Sequence, residues 1–578
     1  MSLLLQKIPF LLELLVNGIF ILLSSLKSID KVPKSWDPNL VEQLLTTGAM
    51  VVPVVLGIVV VANFISSKDI EDFIRRHIFS ITVFVPLLLT WGDQEFAFWL
   101  SSAHLLSSIL SLYDEPEENK EKKQLVGSPT AQLFRGIKLS PAQMVIVSFS
   151  GVILLGTFLL MLPVSAKGDT SLGFIDALFM ATSATCVTGL STKSLATEFS
   201  LFGQIVILIL IQIGGLSIMT LYSSMAILLG KNMGMKDRVI MQDLLDVNSL
   251  EDLFNMIVDI VKYTFFIELW GGIVLTIAFT FEGFEFGSAL YYGFFHSISA
   301  FCNAGFSRFD TSLETYGTNP LINITIVILI TLGGLGFIVL KDLKEVFTAG
   351  KSISRLGAHT KIVIVTSGLL TFIGAVFIFF GEFLNALDSY TLWEKLQISL
   401  FQSVTLRTAG FNTIPLTSMH TYTLYMMTLF MFIGGSPGST AGGVKTTTLA
   451  ILIQSIKATL KGDKRVTAFN RAISGPIVVR ATALMFISIL ITSFFILVLM
   501  RLEPNQNFLA IFFEVISASG TVGLSLGITP FLTTMGKVAV SALMFSGRIG
   551  PLTLILAIGQ RQKSIGKFDY PDGRIMIG

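Results

Sequence analysis

At 578 residues, with 52% hydrophobic and only 13% charged positions, the chain is too apolar for a water-soluble domain, which carries about 25% charge. Its net charge of +2 points away from nucleic-acid or acidic partners, and a mean hydropathy of +0.76 makes membrane lipid its main solvent. A spanning helix needs roughly 20 apolar residues, and many windows here reach that length. The sequence therefore describes an all-α polytopic membrane protein. Its two cysteines, Cys186 and Cys302, make neither a disulfide framework nor a thiolate metal site, so packing is their role.

Residues 1–113 read as an N-terminal transmembrane extension with four apolar stretches, Ile8–Leu26, Leu45–Ile65, His77–Trp91 and Phe96–Tyr113. Met1–Leu23 lacks a small-residue cleavage site, so it is expected to be retained rather than removed as a signal peptide. None of the four stretches has the arginine at every third position that a voltage sensor requires; packing or assembly is the expectation. Residues 114–140, with the run Asp114-Glu115-Pro116-Glu117-Glu118, read as a charged cytoplasmic linker.

From Ser140 a pattern repeats four times, over 141–238, 239–355, 356–470 and 471–578, the last with a C-terminal tail. Each unit has a first apolar helix, a short amphipathic stretch, a glycine-containing bend and a second apolar helix. The bends are Val187-Thr188-Gly189-Leu190, Asn303-Ala304-Gly305-Phe306, Thr408-Ala409-Gly410-Phe411 and Thr521-Val522-Gly523-Leu524. A second marker follows each bend: Gly215, Gly334, Gly435 and Gly547. Four copies of two markers at near-constant spacing establish internal repetition. Basic residues follow each second helix (Lys231, Lys236 and Arg238; Lys341, Lys344 and Lys351; Lys457, Lys461, Lys464 and Arg465; Arg561, Lys563 and Lys567), whereas Glu282, Glu285, Glu382, Asp388 and Glu503 lie between first helix and bend. By the positive-inside rule the bends open outward. Lys27, Lys31 and Lys34 of the extension fit that orientation less well.

Non-helical backbone survives at membrane depth only inside protein or beside water, so four such bends most simply surround one axis. Glycine lets carbonyls crowd a ligand, and carbonyl rings replace the hydration shell of a bare monovalent cation. Each short stretch would aim the negative end of a half-helix at that ion, with the hydroxyls of Thr188, Thr408 and Thr521 nearby. Asp176, His296, Gln402, Arg407 and Glu514 are expected to brace the half-helices, and an Arg407–Glu514 pair is one arrangement they allow. In the third unit, Gly434-Gly435-Ser436-Pro437-Gly438-Ser439-Thr440-Ala441-Gly442-Gly443 interrupts the second helix. Proline and five glycines leave too little helix propensity to continue, so an irregular loop beside the cavity is expected. Lys445 would place charge at its cytoplasmic mouth. Arg548, an intramembrane arginine, should face a cavity or partner and gate together with the loop.

The strings DALFMATSATCVTGLST, FHSISAFCNAGFSRFDTS, SVTLRTAGFNT and FEVISASGTVGLS resemble the four pore regions of the Trk/Ktr/HKT superfamily of potassium transporters, most closely the membrane subunit of bacterial Ktr systems. LFGQIVILILIQIGGL and the terminal YPDGRIMIG add to the resemblance, which covers Leu139–Gly578. It implies four units of first helix, pore helix and second helix in a pseudo-fourfold monomer of the cell membrane. It also implies a homodimer, a cytoplasmic nucleotide-binding regulatory ring of RCK type, K+ as transported ion and Na+ as a stimulating ion. Glycine in all four filters goes with potassium in that superfamily. It matches the Gly-rich interruption to an intramembrane gating loop and Arg548 to an arginine beside it. No organic cofactor and no enzymatic activity are expected, since there is no HExxH and the five histidines lack ligand spacing. An inverted-repeat transporter would alternate orientation between units, which these do not; a channel or transporter for ammonium is the competing reading.

Overall fold

The computed structural model describes residues 16–25, 27, 38–66, 94, 97–98, 101–102, 141–167, 172–216, 250–350 and 352–550. The chain divides into two compact units, Met1–Pro129 and Thr130–Gly578. The third apolar stretch of the extension, the linker at 114–140, the basic clusters at 231–238 and 561–567 and the terminal YPDGRIMIG lie outside the described residues, as does most of the fourth stretch.

In the first unit α1 (Val16–Ser25) and α2 (Pro38–Ser66) pack around Phe20, Leu45, Ala49, Val52 and Leu56. Helix α2 begins at Pro38, seven residues before the apolar run, because proline suits a first turn whose N–H would go unpaired. Lys27 pairs with Glu42 at 2.5 Å, so the cation that fits the orientation rule poorly is partly neutralised.

The second unit contains the four-part pattern. Its first helices are α3 (Pro141–Met161), α6 (Leu250–Phe281), α10 (Ala358–Glu382) and α14 (Gly475–Leu502). The short helices are α4 (Phe174–Thr185), α7 (Phe286–Phe301), α11 (Leu392–Thr405) and α15 (Phe508–Gly520), of 12, 16, 14 and 13 residues. At 1.5 Å per residue they reach about 18–24 Å, short of the roughly 30 Å hydrocarbon core. The second helices are α5 (Leu201–Gly215), α8 (Pro320–Leu335), α12 (Thr421–Met431) and α16 (Thr534–Ile549). Two of these resume after a break, α8 as α9 (Phe337–Thr348), at 101°, and α12 as α13 (Thr446–Lys461). A two-stranded hairpin, β1 (Thr467–Ala468) and β2 (Arg471–Ala472), leads into α14.

Every short helix packs on the first helix of its own repeat and on the second helix of the repeat before: α7 on α5, α11 on α8, α15 on α12, and α4 on α16. That last contact closes the cycle. Lys537 of α16 meets Asp176 of α4 there, at 2.7 Å.

The acidic residues that follow the first helices act as caps. Glu282 accepts from the Asn319 amide at 2.5 Å, Glu382 from the His420 N–H at 3.0 Å, and Glu503 from the Thr533 N–H at 2.8 Å and hydroxyl at 2.7 Å. In each case the acid ties the end of a first helix to the start of the second helix in the same repeat. The first repeat lacks the acid and uses backbone instead, with Ser200 N–H donating to Ser165 O at 3.0 Å. Removing the buried Glu503 leaves two donors unpaired, so Glu503→Ala should cost about 1–3 kcal/mol. A thermal midpoint measured in detergent checks this against Glu285→Ala, whose exposed side chain caps nothing; equal losses would deny Glu503 its capping role.

Candidate ion filter and intramembrane loop

Each bend has positive φ at two positions, the glycine and the residue two before it. The pairs are Val187 (55°) and Gly189 (93°), Asn303 (59°) and Gly305 (69°), Thr408 (69°) and Gly410 (79°), and Thr521 (53°) and Gly523 (94°). The four glycines form a closed ring. A Cβ built on Gly189 would lie 2.5 Å from Ala304 O, one on Gly305 2.8 Å from Ala409 O, and one on Gly410 2.6 Å from Val522 O. One on Gly523 would meet Thr188 O, returning to the first repeat. The carbonyl before each glycine therefore lies against the glycine of a neighbouring bend, and any side chain at these positions would break the ring.

Hydroxyls in the short helices fix the bends in two ways. Gly189 N–H donates to Ser183 Oγ and Gly523 N–H to Ser517 Oγ, both at 3.1 Å. In the other two repeats Ser299 Oγ donates to Phe306 O at 2.7 Å and Thr405 Oγ1 to Phe411 O at 2.6 Å. By contrast the hydroxyls of Thr188, Thr408 and Thr521 are buried with no protein partner among the described residues. A buried polar oxygen without a partner is costly, and three of them in the ring residues suit a site that a cation fills.

Arg407 directly precedes the third bend, and its guanidinium reaches Ser367 Oγ of α10 at 2.9 Å. Glu514 instead accepts from Ser525 at 2.7 Å and Thr529 at 2.5 Å. The Arg407–Glu514 pair is thus absent: the guanidinium turns to Ser367 and the carboxylate to two hydroxyls. His296 braces its helix against the segment after the bend, Nδ1 to Tyr292 O at 2.8 Å and Nε2 to Ser307 Oγ at 3.1 Å. Gln402 makes no side-chain hydrogen bond among the described residues.

Of the second markers, the glycines in closest approach are Gly214, Gly333 and Gly547, where a Cβ would collide with Thr185 O, Phe301 O and Ser519 O. In the first two repeats this is one residue earlier than the marker read from the sequence. These carbonyls belong to the last residues of α4 and α7 and the penultimate residue of α15, so glycine lets each second helix press on the tip of a short one. Gly215 lies against the Cys302 thiol, and Cys186 and Cys302 are free and buried.

Residues 433–445 are irregular, held by a parallel bridge between Ile433 and Val444. The loop touches the ring: a Cβ on Gly434 would lie 3.2 Å from Thr408 Cγ2, and one on Gly442 would meet the Thr521 side chain. Its other side is tied to the end of α8, where Ser436 N–H donates to Gly334 O at 3.1 Å and Thr440 N–H to Gly333 O at 3.2 Å. Gly336, at φ 90°, turns the chain there, and Phe337 N–H donates to Gly438 O at 3.1 Å. Two cations hold consecutive loop carbonyls. Arg548 donates to Thr440 O and also to Gly214 O at the end of α5, while Lys445 donates to Ala441 O at 2.7 Å.

Apolar spans enclosing four bends in a ring define a multi-pass membrane protein built around a transport path. The chain belongs to the TrkH family of cation transport proteins, which matches over residues 138–565, a family of transporters and not of enzymes. It is 38% identical over 453 residues to the Ktr system potassium uptake protein B of Bacillus subtilis, covering 77% of this chain and 99% of that one. Potassium/sodium uptake protein NtpJ of Enterococcus hirae is 36% identical over 447 residues, 76% of this chain and 98% of its own. The crystal structure of the potassium transporter TrkH from Vibrio parahaemolyticus superposes with a TM-score of 0.57 at 16% identity, covering 90% of this chain and 97% of that one; that likeness speaks to the fold.

Proposed function

We propose that this chain carries potassium across the cell membrane through the ring of four bends, and that residues 434–443, Lys445 and Arg548 gate the path. The observation that carries this reading is the closed cycle of carbonyls against glycines. Oxygen ligands at fixed spacing replace water around a monovalent cation. Potassium is the ion named for the Bacillus subtilis relative. The resemblance adds a homodimer, a cytoplasmic nucleotide-binding ring and stimulation by sodium.

Purified chain in liposomes should pass potassium well ahead of sodium, with ammonium a weaker competitor. A less selective monovalent path is the second reading, favoured by the potassium/sodium name of the Enterococcus hirae relative. Sodium flux equal to potassium flux would establish that second reading and overturn the first.

A further inference from the structure

A cavity of about 340 Å³ opens between α13, the first turns of α10 and the β1–β2 hairpin, away from the bends and the loop. Its lining has an apolar side, with Ile362 and Val365 of α10 and Ile451 of α13, and a polar side, with Thr366, Gln454, Lys457 and Lys461. The lysines stand four apart on one face of α13, exposed and without an ion-pair or hydrogen-bond partner among the described residues. Asp463, past the end of α13, is the single acid in the lining, so the cavity keeps a net positive charge.

Depth matches this chemistry to a bilayer. Helix α10 starts at Ala358, so Ile362 and Val365 lie about 6–10 Å along it at 1.5 Å per residue. The headgroup zone of one leaflet is about 5–7 Å thick. With the start of α10 set at the membrane surface, Ile362 and Val365 would meet the upper acyl chains and the lysines, in the last turns of α13, the headgroups.

The hairpin adds an independent sign. Its two-residue turn is Phe469-Asn470, with φ of 47° and 61°, where such turns favour Asn-Gly. A bulky aromatic at positive φ is strained, and strain of this kind collects where a ligand is clamped. Phe469 is 48% exposed and lines the cavity.

We propose that this cavity binds one anionic phospholipid, with Lys457 and Lys461 on the headgroup phosphate and Ile362, Val365, Ile451 and Phe469 against the glycerol and first acyl carbons. A second copy of the chain would bring lysine against lysine, and a soluble anion would have no use for the apolar side.

Native mass spectrometry of the full chain, equilibrated with phosphatidylglycerol or phosphatidylcholine, tests it. Phosphatidylglycerol should be retained preferentially, Lys457→Gln and Lys461→Gln should each lower its retention about fivefold, and Lys457→Arg should leave it intact. Phe469→Asn should lower retention while raising the thermal midpoint, since asparagine tolerates the turn. Equal retention by the wild type and the double glutamine variant overturns the proposal. So does displacement of the lipid by millimolar inorganic phosphate, which would mark a free-anion site, or a switch from dimer to monomer in the double variant, which would mark a protein interface.

Discussion

Gly189→Ser should cut the ratio of potassium to sodium flux into liposomes about tenfold, equivalent to roughly 1.4 kcal/mol of discrimination. The substituted residue must tolerate φ 93° and place a Cβ 2.5 Å from Ala304 O and 3.2 Å from Gly305 Cα. Neither neighbour is the end of a flexible side chain, so the backbone of the second bend has to retreat. The proposed filter then loses the spacing by which carbonyls favour the larger, more easily dehydrated ion. Gly527 provides the control, with φ 89° and nothing within 4 Å of a built Cβ. Gly527→Ser carries the same backbone strain, so it should cost stability and leave the flux ratio alone. If both variants shift selectivity alike, strain and not ring crowding is responsible, and the assignment of Gly189 to a filter fails.

The repeats and the broken second helix were legible in the sequence because both are written in residue types with few conformational options. A glycine recurring near position 189, 305, 410 and 523 marks backbone that other residues avoid, and Pro437 among glycines marks a helix that cannot continue. What escaped was any feature whose partner is a backbone carbonyl, because every residue has one and none is distinguished by type. Arg548 reaches Thr440 O and Gly214 O; Lys445 reaches Ala441 O. Opposite charge suggested Glu514 as a mate for Arg407, yet Ser367 on α10 is what the guanidinium meets. Glu282, Glu382 and Glu503 entered the sequence reading only as charge, and their hydrogen bonds to the starts of second helices follow from the fold alone.

Those carbonyl contacts change what the arginine is expected to do. A charge facing the path would act as an electrostatic barrier, and any cation at 548 would serve. A guanidinium donating at once to the loop and to the end of α5 acts as a strap, and only a forked donor can hold both. Arg548→Gln should raise potassium flux under either account. Hydrogen bonds from a charged group contribute about 1.5–3 kcal/mol each, so release of the loop carbonyl alone should shift the closed population roughly tenfold or more. Arg548→Lys separates the two. Lysine keeps the charge but lacks the fork, so a strap predicts flux raised nearly as far as in the glutamine variant, whereas a barrier predicts flux at the wild-type level. Single-channel or liposome flux on the two variants side by side decides it. Unchanged flux in Arg548→Gln would remove the arginine from the gate, and leave Lys445 on Ala441 O as the cation that restrains the loop.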